Sequence, residues 1–167
     1  MPGIRNFAYI VLSLFLSSLF LGCMGTKEPG ADVKADGKAL YDYITKEENY
    51  KNWKGWPGKD ELFPGREPHG ILLTTYVTDG AFSAIEEKKG SIPYGSIIVK
   101  ENYCPEKMLK ALTVMYKVKG YDAEHNDWFW ASYLPDGEIV AEGMVKECND
   151  CHGQRKDNDY IMTDEIK

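Results

Sequence analysis

Residues 110–119 read KALTVMYKVK, and Leu112, Val114, Tyr116 and Val118 fall on alternate positions. That is the period of a strand with one covered face. A lone strand is unstable in water, so partners are expected nearby. Residues 70–77 (GILLTTYV) are β-branched and aromatic in their second half, and 95–103 (GSIIVKENY) and 126–134 (NDWFWASYL) have strand character throughout. Pro135-Asp136-Gly137 is a turn leading into a short fifth strand near 138–140. Short connections between consecutive strands imply antiparallel pairing. Helical signals are fewer. One helix is expected at 37–43, capped by Asp36 with Leu40, Tyr41 and Ile44 inward, and one at 79–89, capped by Asp79 with Phe82, Ala84 and Ile85 on one face. Between them 49–70 sets Trp53, Trp56 and Phe63 among turn residues, an aromatic-pinned loop. The fold class is therefore α+β: a predominantly antiparallel β-sheet with short helices, closed by a C-terminal helix.

The chain has 167 residues, 43% of them hydrophobic and 13% aromatic, enough for the core of one domain. A formal charge of -6 argues against nucleic acid, whose phosphates require a basic surface. The expected partners are small molecules and redox proteins with basic surfaces. Arg5 precedes an uncharged apolar run over 7–22 that ends in Gly22-Cys23. This reads as a signal peptide over 1–22 with Cys23 as a lipidated first residue, placing the protein in the cell envelope as a membrane-anchored lipoprotein. An uncleaved membrane helix over 7–24 is the alternative, since about 20 residues span a bilayer. Residues 23–37, polar and broken by Gly and Pro, read as a flexible tether, and 38–167 as the domain.

Four cysteines in an exported chain first suggest disulfides. The spacing suggests otherwise, because residues 148–152 read CNDCH, the attachment signature of c-type haem. On a helical turn Cys148 and Cys151 share a face and can add to two vinyl groups on the porphyrin, while His152 binds the iron as a neutral imidazole. One covalent haem is the expected cofactor, with His152 as metal ligand. A redox-active CxxC pair would follow a strand in a βαβ unit, and a zinc site would need two more ligands from Cys104, His69 and His125. Cys104 is left without a partner, as a buried thiol or, alternatively, one that pairs between molecules.

The segments EPHG (67–70), GSIIVKENY (95–103), TVMYKVKGYD (113–122) and NDWFWASYLPDG (126–137), closed by ECNDCH and Asn158-Asp159-Tyr160, resemble the cytochrome P-460 family, whose relatives include the β-sheet cytochromes c′. The resemblance covers roughly 53–162. It implies a haem with His152 on one side, an open or weakly filled distal side, a homodimer, and a bond from a lysine side chain to the porphyrin edge, at Lys100 in this chain. The apolar residues Ile97, Ile98 and Val99 before Lys100 suggest a strand covered on both faces.

For the distal side, His69, Met115 and Met144 are candidate sixth ligands, with His69 also suited to a structural hydrogen bond and the methionines to the core. His125 reads as a solvated loop residue. Trp128 and Trp130 share one strand face, Phe129 and Tyr133 the other, and either could wall the porphyrin. Three functions remain open: a haem-dependent oxidoreductase acting on hydroxylamine or a similar small nitrogen compound at a five-coordinate iron, a nitric oxide-binding module without turnover, and a six-coordinate electron-transfer cytochrome.

Overall fold

The alternation in 110–119 is realised as a strand with Leu112, Val114 and Tyr116 buried on one face. A computed structural model describes Glu28 and residues 30–167. The expected signal peptide and Cys23 lie outside the described residues. The strands are β1 (Lys54–Gly55), β2 (Phe63–Pro64), β3 (Leu72–Val77), β4 (Ile97–Tyr103), β5 (Leu109–Lys117), β6 (Trp128–Tyr133) and β7 (Ile139–Gly143). They form one antiparallel sheet in the order β1-β3-β4-β5-β6-β7, with β2 pairing the other half of the β3 edge. The helices are α1 (Gly37–Asp42), α2 (Asp79–Glu86) and α3 (Lys146–His152). The α+β class expected from the sequence is thus the observed one.

Because side chains alternate along each strand, register decides which residues meet. Val99, Val114 and Ala131 are paired across β4, β5 and β6, as are Ile97, Tyr116 and Phe129. With Leu112 and Tyr133 they cover one face, against Leu40, Tyr43 and Ile44 of the α1 region. The opposite face carries the row Ile98, Met115 and Trp130 and the row Lys100, Thr113 and Ser132. Ile98, Trp128 and Trp130 pack there against Ala81, Ala84 and Ile85 of α2 and against Tyr160, Ile161 and Ile166 of the C-terminal segment. Each fully buried large apolar side chain contributes about 1.5–3 kcal/mol, so two such layers hold the sheet between helices.

Several boundaries depart from expectation. Residues 30–37 do not behave as a free tether: Tyr116 Oη donates to the carbonyls of Gly30 (2.6 Å) and Val33 (2.8 Å), and Val33 and Ala35 pack on the core. The packed domain thus begins before residue 38. Asp36 caps α1, accepting from Ala39 N at 3.0 Å, and the helix widens into a π-turn over Tyr43–Glu47. Asp79 is not the cap of α2. Thr78 holds that position, its hydroxyl accepting from Ile97 N rather than capping the helix, and Asp79 lies in the first turn, where its charge suits the helix dipole. That helix stops at Glu86 because Lys88 and Gly90 adopt positive φ. The 49–70 loop is interrupted by the two-residue strands β1 and β2, and the fifth expected strand extends to Gly143.

Candidate functional site

The seven residues of α3 place Cys148, Cys151 and His152 at positions i, i+3 and i+4, one face of the helix. That face lies over the sheet rows just described. Cys148, Cys151 and His152 line a cavity of about 120 Å³ together with His69, Ile98, Lys100, Thr113, Met115 and Trp130. A more polar cleft of about 340 Å³ adjoins it and shares His69, Lys100, Cys151 and His152 while adding Lys59 and Arg66. Trp130 Nε1 donates to Asn149 Oδ1 at 2.6 Å, which fixes α3 against β6.

His152 is buried, its ring 4.7 Å from that of Trp130. Its Nδ1 lies 2.8 Å from the Tyr160 carbonyl, and a carbonyl can only accept, so Nδ1 carries the proton and Nε2 the lone pair. Burial, with help from Lys100, pushes its pKa down to about 4 against the opposing Tyr160 bond. It is a neutral, oriented imidazole, as an axial ligand must be.

The Tyr160 carbonyl is itself held in place. Asp159 and Tyr160 both adopt positive φ (52° and 66°), a backbone that needs support in non-glycine residues. Buried Asp159 supplies it, accepting from Lys117 Nζ (2.5 Å), Ile92 N (2.7 Å) and Asn126 Nδ2 (3.0 Å), while its carbonyl accepts from Trp128 Nε1. Asn158 closes the following loop, donating to the carbonyls of Ile161 and Asp164 and accepting from Ile166 N. This shell behind His152 was not read from sequence beyond the bare tripeptide 158–160.

The thiols of Cys104, Cys148 and Cys151 are free. Burial, then Glu147 and Cys151, push the Cys148 thiol up to about 11, opposite to the depressed values of catalytic CxxC thiols. Among the described residues no group of three or more His, Cys, Asp and Glu side chains is arranged to hold a metal ion alone. Two thiols and one oriented imidazole on a single face suit a flat group that brings its own four equatorial ligands. The apolar wall of Ile98, Met115 and Trp130 suits its ring. The residues present fit a haem.

Lys100 points into the same cavity, and Ile97, Ile98, Val99, Glu101 and Asn102 around it are all buried, as the apolar run suggested. Burial foremost, then Arg66, pushes its pKa down to about 8, so the ammonium is held less firmly than that of an exposed lysine. His69 lies across from His152, the two ring centroids 6.2 Å apart. Met115 lines the cavity, whereas Met144, just after β7, is an exposed surface residue and not a ligand. Trp130 walls the cavity while Phe129 and Tyr133 belong to the other core layer. His125 is not simply solvated: its Nδ1 lies 2.8 Å from Asp122 Oδ2, away from the cavity. Cys104 is half-buried at a turn after β4 rather than buried.

A sequence model of one family, Cytochrome P460, matches residues 47–163, which contain every cavity residue named here. No curated protein matches the chain. With the match covering most of the sequence, and the antiparallel sheet and oriented His152 in place behind it, the chain belongs to the cytochrome P460 family of haem proteins.

Proposed function

We propose that this is an exported mono-haem c-type cytochrome whose haem is bonded to Cys148 and Cys151, with His152 as proximal ligand, and which carries out redox chemistry on a small nitrogen compound such as hydroxylamine. The observation carrying this reading is the placement of both thiols and an imidazole with a fixed tautomer on one helix face above an apolar cavity. When bound, haem supplies an iron that holds a small nitrogen ligand and passes single electrons. The chain's own residues do the rest. The Tyr160 carbonyl would keep the His152 lone pair available, the apolar side chains of Ile98, Met115 and Trp130 would exclude water from the ring, and Lys100 would bring its amine into the same cavity, where the resemblance puts the family's lysine link.

Lys100 favours turnover over simple capture of nitric oxide, since a third covalent link would alter the ring's electronics. Electrons would leave to a redox partner protein, and a homodimer anchored to the envelope membrane through Cys23 completes the reading. Two acyl chains hold a protein at a bilayer where one does so marginally.

The test is a haem peptide from digested holoprotein together with the ferrous spectrum and hydroxylamine turnover. The peptide should contain both 147–152 and the strand around Lys100, and Lys100→Ala should leave haem on the cysteines while shifting the spectrum and lowering turnover. A peptide with the cysteine segment alone, and no oxidation of hydroxylamine, would favour the nitric oxide-binding alternative.

A further inference from the structure

His69 has the same arrangement as His152, seen from the other side. Asn102, buried on the cavity face of β4, turns its Nδ2 toward three acceptors, the carbonyls of Lys100 (3.1 Å) and Ala111 (3.2 Å) and Thr113 Oγ1 (3.1 Å). Its Oδ1 is therefore the atom facing His69 Nδ1, at 3.1 Å. An amide oxygen only accepts, so Nδ1 of His69 carries the proton and Nε2 the lone pair. Among the described residues neither Nε2 has a hydrogen-bond partner, and both rings line one cavity.

We infer that His69 is a second axial ligand of the haem iron, bound through Nε2 in the resting protein and displaced when a small nitrogen ligand enters. This rests on the reading of the cavity as a haem site. Two metal–imidazole bonds of about 2.0–2.1 Å, with the ring radii added, come to roughly the observed 6.2 Å between centroids. A ligating histidine donates its other ring nitrogen to a fixed acceptor, and Asn102 and the Tyr160 carbonyl are two such acceptors. Binding is a ligand exchange: the iron–Nε2 bond breaks, the incoming nitrogen donor's lone pair forms the new one, and no electron moves.

The test uses the ferric holoprotein and its His69→Phe and His69→Gln variants. The wild-type protein should show a low-spin electron paramagnetic resonance and optical signature, and both variants a high-spin one. Binding of nitric oxide to the ferrous wild type should reach a rate plateau set by His69 release, while the variants bind in proportion to concentration. Their affinity should rise about tenfold or more, because a ligand that must displace an occupant binds only the open fraction. Added imidazole should restore the low-spin signature to whichever variant folds better. High-spin haem in the wild type, unchanged by either substitution, would overturn the inference alone. Purified protein without retained haem would overturn it together with the haem reading.

Discussion

Replacing Asp159 with alanine tests how the shell behind His152 is held. The Lys117–Asp159 pair is almost fully enclosed, with side chains 6% and 3% exposed and Nζ 2.5 Å from Oδ1. Lys117 Nζ also sits 4.6 Å from the Trp128 ring. Removing the carboxylate leaves a buried ammonium unpaired, which costs about 3–5 kcal/mol. That is a large share of the roughly 5–15 kcal/mol available to a domain. Adding Lys117→Met should recover most of it, because apolar residues of similar volume replace a buried pair at little cost. The double variant should still lie about 1–3 kcal/mol below wild type, since Ile92 N loses its acceptor. Urea unfolding of the holoprotein at neutral pH reads these differences. The ferrous spectrum reads the second effect, a loosened Tyr160 carbonyl and a less firmly oriented His152. A single-variant loss under about 1 kcal/mol, or a double variant no better than the single, would refute the reasoning.

Glu101, buried on the other face of β4, accepts from Tyr50 Oη (2.7 Å) and Tyr103 Oη (2.6 Å). Glu101→Gln should lower stability by about 1.5–3 kcal/mol in urea unfolding, the worth of hydrogen bonds to a charged group, and leave the haem spectrum unchanged. Burial foremost raises the pKa of Tyr43 and Tyr116 to about 12. The unfolded chain releases those protons near pH 10 and the folded one later, so this contribution is complete below about 10 and is lost as pH climbs toward 12. Near-ultraviolet titration should show delayed tyrosinate formation, abolished in denaturant. Mass spectrometry of the mature chain should find lipid on Cys23; an unmodified Cys23 still joined to Gly22 would support the membrane-helix alternative.

The sheet was legible because its signal is local. Alternation in 110–119 and the apolar run before Lys100 state which side chains are buried, and register then follows from short connections. The CNDCH motif was legible for the same reason: its three groups share one helical turn. What stayed hidden depends on contacts between distant segments. Nothing local marks Asn102 as the acceptor for His69, 33 residues away, although alternation does place it on the face of Ile98 and Lys100. The Tyr160 carbonyl is a backbone group, invisible to residue type, and its partner shell draws on Lys117, Asn126 and Trp128 from elsewhere in the chain. The packing of 30–37 was missed because polar, Gly-containing sequence reads as linker even when one tyrosine, Tyr116, ties it down.

The central claim is that Cys148 and Cys151 carry one haem with His152 as its axial ligand. Intact-mass spectrometry after acid and organic extraction tests it most directly. The polypeptide should keep the mass of one haem; Cys148→Ala and Cys151→Ala should each weaken that retention and the pair abolish it. His152→Ala should leave little holoprotein. A chain that extracts free of haem with both thiols unmodified, or that holds stoichiometric zinc instead, would contradict the account.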